Sequence, residues 1–215
     1  MPSWLAHAPA AMGTAALFAP ASAPRRYWVT AALCGIIPDV DFLGAPFGAT
    51  AYSTLFGGHR GITHGIPFAI AFGTLIAWRG FRDAQWDGLR PRLALAFMLA
   101  IATHGLLDAL TDNGPPVAFL SPLSLERYTF AWHPINPSAA YGVRGFARLP
   151  IVLANEFFWA GLPGIVLIVA SVTWRRRRVV SLGRRPSVDT ADSFAIRPEH
   201  VSSQDTASTD GTLAE

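Results

Sequence analysis

Five apolar stretches alternate with polar connections along the chain, at residues 4–19, 27–37, 65–78, 93–110 and 151–174. The stretch at 93–110 would be about 27 Å long as a helix, close to the ~30 Å hydrocarbon core of a bilayer, and 151–174 is longer. By contrast, 27–37 would reach only about 17 Å, so it must tilt, pack inside a bundle or lengthen through its flanks. Pro67 falls in the first turn of the third stretch, where its missing N–H costs nothing, and Thr63 is placed to cap that helix. The pattern predicts an all-α, multi-pass transmembrane helical bundle with about four to five membrane segments.

The connections read as differently as the helices. Residues 42–58 are rich in Gly, Ala and aromatics and suggest a loop or re-entrant segment. Residues 111–150 hold several prolines with Phe119, Tyr128, Phe130 and Trp132, a composition suited to a lid lying in the membrane interface. From 179 the chain is rich in Ser, Thr and Asp with little to bury, which predicts a disordered tail. The domain reading is therefore a membrane-embedded unit over 1–174 and a basic stop-transfer segment with tail over 175–215. Ala21-Ser22-Ala23 imitates a signal-peptide cleavage site, but no basic segment precedes the first apolar stretch. A retained helix carrying His7 is the favoured reading.

Composition supports membrane residence: 51% of residues are hydrophobic and only 14% charged, against about 25% charged in soluble domains. Every basic residue is arginine, and the net charge of +3 is concentrated near Arg175–Arg178, Arg184 and Arg185. That distribution describes a cytoplasmic membrane flank; no nucleic-acid-binding surface is evident. The single Cys34 excludes an internal disulfide. Arginines at 25–26, 79–92 and 175–178 mark three cytoplasmic positions by the positive-inside rule. Alternating the apolar segments between them brings His7, Asp39, Asp41, His59, His64, His104, Asp108 and Glu156 together near the outer face, with the C-terminus cytoplasmic.

Those residues carry metal chemistry. His104 and Asp108 are four apart on one helix face, and an ionised Asp in a membrane helix needs a partner or a cation. Asp39 and Asp41 could approach one cation or bridge two. His59 and His64, five apart, suit a loop ligand followed by a ligand at a helix start. The candidate metal set is His7, Asp39, Asp41, His59, His64, His104 and Asp108. A mixed His and carboxylate set suits Zn²⁺, with Mn²⁺ or Fe²⁺ as alternatives. Asp39, Asp41 and Glu156 are candidate general bases, and Arg60 is a candidate oxyanion stabiliser or a salt-bridge partner of Asp39 or Asp41. Asn155, His133, Arg127 and Arg148 are candidate outer contacts.

Pro38-Asp39-Val40-Asp41, Gly58-His59-Arg60-Gly61-Ile62-Thr63-His64 and His104-Gly105-Leu106-Leu107-Asp108-Ala109-Leu110-Thr111, in this order, resemble bacterial inner-membrane metal-dependent hydrolases known for a LexA-regulated member. The resemblance covers roughly residues 1–150. It implies distant similarity to the all-α zinc-dependent phospholipases C and single-strand nucleases. It further implies ligation by His7, an Asp of the Pro-Asp-x-Asp block, His59 or His64, and the His104/Asp108 pair.

The resulting expectation is a metal-dependent hydrolase of the inner membrane. A metal-activated water would attack a phosphoester or other ester, plausibly of a lipid or lipid-linked substrate. The alternative is a non-enzymatic metal or proton carrier, and a third reading is a structural bundle with buried ion pairs. The sequence leaves the oligomeric state open.

Overall fold

A computed structural model describes residues 3–41, 58–136 and 145–183. The described residues form α1 (Trp4–Ala16), α2 (Arg25–Cys34), α3 (Ile66–Gly80), α4 (Arg90–Ala109), α5 (Gly145–Glu156) and α6 (Leu162–Gly183). A π-helical segment, Phe157–Gly161, joins α5 to α6 without a break. The only β pairing among them is two isolated bridges in the connection after α4.

Local chemistry sets several of these boundaries. A proline occupies the first turn of both α3 (Pro67) and α4 (Pro91), where the missing donor would have had no helical partner. The N-cap of α3 is Gly65 rather than Thr63. The Thr63 hydroxyl donates instead to Asp41 Oδ2 at 3.0 Å, so the anticipated cap residue belongs to the site.

The elements run up and down. α1 starts beside Glu156, whose carboxylate accepts hydrogen bonds from the Ser3 amide and hydroxyl. It ends where Arg175 donates to Ala16 O at 2.6 Å. α2 returns, and Gly35 just beyond its end meets α4 at His104. α3 descends beside α4, which begins near the α1–α2 turn, where Arg92 donates to Ala19 O. Close crossings rest on glycine. A Cβ on Gly13 would stand 2.6 Å from Gly164 Cα, and one on Gly164 would overlap the Pro9 carbonyl, so α1 and α6 meet backbone to backbone. Tyr27, Phe81, Leu93, Phe97 and Ile101 fill the core between α2, α3 and α4.

Two helices are long and apolar enough to cross a membrane, Arg90–Ala109 and the 32-residue stretch Ala147–Arg178. The first is 61% buried over its apolar window and the second 22%, so α4 is the bundle's central element and α6 its most exposed face. α3 is apolar but shorter, and α1 and α2 are shorter still. Among the described residues, then, two helices reach bilayer length, and the other three apolar stretches form helices as short as their sequences imply, 13, 10 and 15 residues. Helix α6 also continues through Arg175–Arg178 to Gly183: arginine has good helix propensity, so the charge run ends the apolar surface without ending the helix. The lid expected over 111–150 is irregular up to residue 136 and helical from 145. The expected loop over 42–58 lies outside the described residues except for Gly58, as does the tail from residue 184.

Candidate metal centre

His7 on α1, Asp39 in the 3-10 turn after α2 (residues 37–41), Arg60 and His64 before α3, and His104 and Asp108 on α4 converge at one end of the bundle. All six are buried. His64 Nε2 lies 3.3 Å from Asp108 Oδ2 and 3.8 Å from Asp39 Oδ1. His104 Nε2 lies 3.3 Å from Asp39 Oδ1 and 3.8 Å from Asp108 Oδ2. One donor atom from each of these four residues falls within 4.8 Å of every other. A tetrahedral centre with Zn–N and Zn–O bonds near 2.0–2.1 Å has edges of about 3.3 Å, so the spacing fits a single divalent cation.

The hydrogen bonds around the cluster distinguish atoms that are already partnered from atoms open to a cation. His104 Nδ1 donates to Gly35 O at 2.7 Å. His64 Nδ1 faces Thr63 Oγ1 at 3.1 Å and Asp41 Oδ2 at 3.2 Å. Both rings are thereby fixed by an oxygen at Nδ1, leaving Nε2 aimed into the cluster, as in carboxylate–histidine–metal arrangements. The inward atoms lack aligned hydrogen bonds: His64 Nε2, His104 Nε2, both oxygens of Asp39 and of Asp108, and both nitrogens of His7. Orphaned buried acceptors on this scale are costly unless a cation satisfies them.

Asp108 divides its carboxylate. Oδ1 turns toward His7 Nε2 at 3.7 Å, and Oδ2 toward His64, His104 and Arg60 Nε, the last at 2.9 Å but off the N–H axis. His7 stacks on His104 with ring centroids 3.7 Å apart. Gly35 makes this approach feasible, since a Cβ there would stand 2.6 Å from His7 O.

Asp41, His59 and His64 form a second group on the outer side of His64. His59 Nδ1 lies 2.9 Å from Asp41 Oδ1, and these two side chains are 18% and 11% exposed, making this the more accessible flank. Burial would raise the Asp41 pKa, but contacts with His59 and His64 outweigh it and hold the carboxyl well below the usual range. Burial likewise opposes a charge on His64, but Asp108 and then Asp41 prevail and push the ring up to about 9. His64 therefore carries a proton below that pH, and a cation must displace it. Apparent metal affinity should rise about tenfold per pH unit from 7 toward 9 and then level off. Competition titrations against a pH-insensitive chelator would check this, and a flat profile would contradict it.

Arg60 is 2% exposed and adopts a left-handed backbone (φ 60°). Its amide donates to Asp41 Oδ2, its Nη1 to Pro115 O at 2.9 Å and its Nη2 to Thr111 Oγ1 at 3.1 Å. Its guanidinium lies against Gly114, itself at φ 98°, where a Cβ would come within 2.8 Å of Arg60 Cζ. Glu156 lies apart from the four-donor group, bound to Ser3. Among the candidate outer contacts, Arg127 donates to His59 O and Pro116 O. Asn155 bridges the Asn136 amide and Pro134 O, and His133 pairs with Thr129. Arg148 is exposed on α5. Sequence reasoning missed Gly35 and Gly114, whose roles are close backbone contacts that leave no chemical signature in a side chain, and Ser3, whose partner Glu156 is 153 residues away.

Residues 1–179 match the YdjM inner membrane protein family. The chain belongs to that family. It is also 33% identical over 157 residues to inner membrane protein YbcI of Escherichia coli (strain K12), covering 72% of this chain and 87% of the relative. No solved structure matches it. The family and this relative agree with the membrane residence read from composition and with the two helices of bilayer length.

Proposed function

We propose that the chain is a membrane-embedded metal-dependent hydrolase, with Asp39, His64, His104 and Asp108 holding a divalent cation and zinc the best match to the donor set. The observation that carries this reading is the set of buried, inward-facing nitrogens and oxygens left without aligned hydrogen bonds while both imidazoles are fixed from behind. A cation held there would supply Lewis acidity and lower the pKa of a bound water toward neutrality. His7, stacked on His104 and facing Asp108 Oδ1, is a further donor at the inner edge.

The other polar residues divide the remaining work. Asp41 orients His64 and pairs with His59 at the accessible flank, where its carboxyl, held well below the usual range, serves as a hydrogen-bond acceptor. Arg60 has its guanidinium occupied by Asp108, Thr111 and Pro115, so it acts by positioning Asp108 rather than by meeting substrate. Glu156 anchors the start of α1 through Ser3, and hence the helix that carries His7. The His and Asp cluster occupies the end of the bundle away from Arg79, Arg92 and Arg175, consistent with an outer-face site and a cytoplasmic C-terminus by the positive-inside rule. A site so placed suits phosphoesters or other esters of lipids and lipid-linked molecules.

Full-length protein in detergent, loaded with zinc, should hydrolyse a chromogenic phosphodiester or a phospholipid in mixed micelles. A chelator should abolish the activity. Asp41→Asn should lower it about 10- to 100-fold, the usual cost of losing an outer partner of a metal ligand. Metal binding without turnover on any ester would favour the non-enzymatic carrier instead.

A further inference from the structure

The opposite end of the bundle carries a second built feature that the metal centre does not use. Two open grooves flank Arg175, between the end of α1 and the middle turns of α6. One, of about 560 Å³, is walled by the turn at residues 20–23, Trp28, Arg175 and Arg176. The other, of about 510 Å³, is lined chiefly by Leu17, Ala170 and Trp174 and again reaches Arg175. Both volumes fall in the range of small-molecule sites, roughly 300–1,000 Å³. Ala16, whose carbonyl holds Arg175, is nine residues beyond His7 on α1, about 14 Å along the helix.

The two grooves differ in chemistry. The first has two guanidinium groups and an indole, and no carboxylate among its described lining residues. Arg176 is exposed and makes no hydrogen bond or ion pair with the described residues, whereas Arg175 is folded inward onto Ala16 O. The second groove is mostly apolar and lies on α6, the less buried of the two helices of bilayer length. Trp174, 55% exposed, stands at the boundary, where an amphipathic ring favours the headgroup level.

We propose that these grooves together bind one anionic phospholipid, its phosphate on Arg176 beside Arg175 and one acyl chain along Leu17, Ala170 and Trp174. The charge on the rim selects an anionic headgroup. The apolar groove that shares Arg175 selects a lipid over a free phosphate ion, for which it would have no use. The site is independent of the metal centre and of any hydrolytic activity.

Native mass spectrometry of the delipidated full-length protein, titrated with dioleoyl phosphatidylglycerol or dioleoyl phosphatidylcholine, tests the site. The phosphatidylglycerol should bind more tightly, and Arg176→Gln should weaken it about fivefold, the cost of one interfacial arginine. Arg177→Gln removes the same charge from a residue outside either groove and should leave binding unchanged. Ala170→Trp, which fills the apolar groove, should weaken phosphatidylglycerol as well. Circular dichroism and thermal unfolding in detergent check that each variant is folded. Equal binding of the two lipids would overturn the proposal, as would equal losses in the Arg176 and Arg177 variants. So would competition by millimolar inorganic phosphate that is unaffected by Ala170→Trp, which would mark an ion site instead.

Discussion

Replacing His104 with alanine should weaken divalent-metal binding by more than about a hundredfold, beyond the cost of losing an outer partner. The residue supplies Nε2 to the cluster at 3.3 Å from Asp39 Oδ1, and its Nδ1 is already committed to Gly35 O. Among the described residues no other imidazole occupies that position: His7, stacked face to face on the ring, faces Asp108 Oδ1 at 3.7 Å instead. Among the described residues the truncation also leaves Asp39, buried at 6%, with only the more distant His64 Nε2 facing it. His133→Ala is the matched control, since His133 pairs with Thr129 outside the cluster and its loss should not change metal content. Equilibrium dialysis with elemental mass spectrometry reads both. Retention of native affinity by His104→Ala would remove α4's imidazole from the centre.

Asp108→Leu should destabilise the folded protein by about 3–5 kcal/mol, the cost of leaving a buried charge without its partner. Arg60 is 2% exposed, and its Nε stands 2.9 Å from Asp108 Oδ2, the only carboxylate oxygen against that guanidinium among the described residues. Its contacts with Thr111 Oγ1 and Pro115 O are to neutral acceptors and cannot neutralise it. The double variant Asp108→Leu/Arg60→Met should recover much of the loss, because exchanging a whole buried pair for apolar side chains is often neutral or better. Thermal unfolding of metal-free protein in detergent separates this from lost ligation. A single variant within about 0.5 kcal/mol of native, the scale of a neutral surface change, would mean that Arg60 is compensated elsewhere.

The functional end of this protein was legible in its sequence, as were its helices. His104 and Asp108 announce themselves because ionisable residues four apart in an apolar helix have few inexpensive structural uses. Arginine placement alone brings His7, Asp39, Asp41, His59 and His64 to the same end. Two things escaped. Asp39 and Asp41 cannot be told apart by spacing, yet the turn at 37–41 aims Asp39 into the four-donor group and Asp41 at the back of His64. Arg60 resembles an anion-binding group in sequence, but its left-handed backbone and Gly114 bury its guanidinium against Asp108. Helix positions follow the hydropathy closely, and α4 and α6 run beyond their apolar stretches, because arginine and proline at helix starts and arginine at the α6 end are compatible with helix though not with an apolar surface.

The central claim is that the buried donors hold a cation, and metal analysis of the native chain tests it most directly. Protein purified in detergent, or stripped with chelator and reloaded, should retain close to one divalent cation per chain at the four-donor site, with a second equivalent only if the Asp41–His59 flank also fills. X-ray absorption at the metal edge should show a shell of nitrogen and oxygen near 2.0–2.1 Å with imidazole outer scattering and no sulfur. A chain that binds no metal after reloading, while remaining folded, would contradict the account and return the cluster to a network of buried ion pairs.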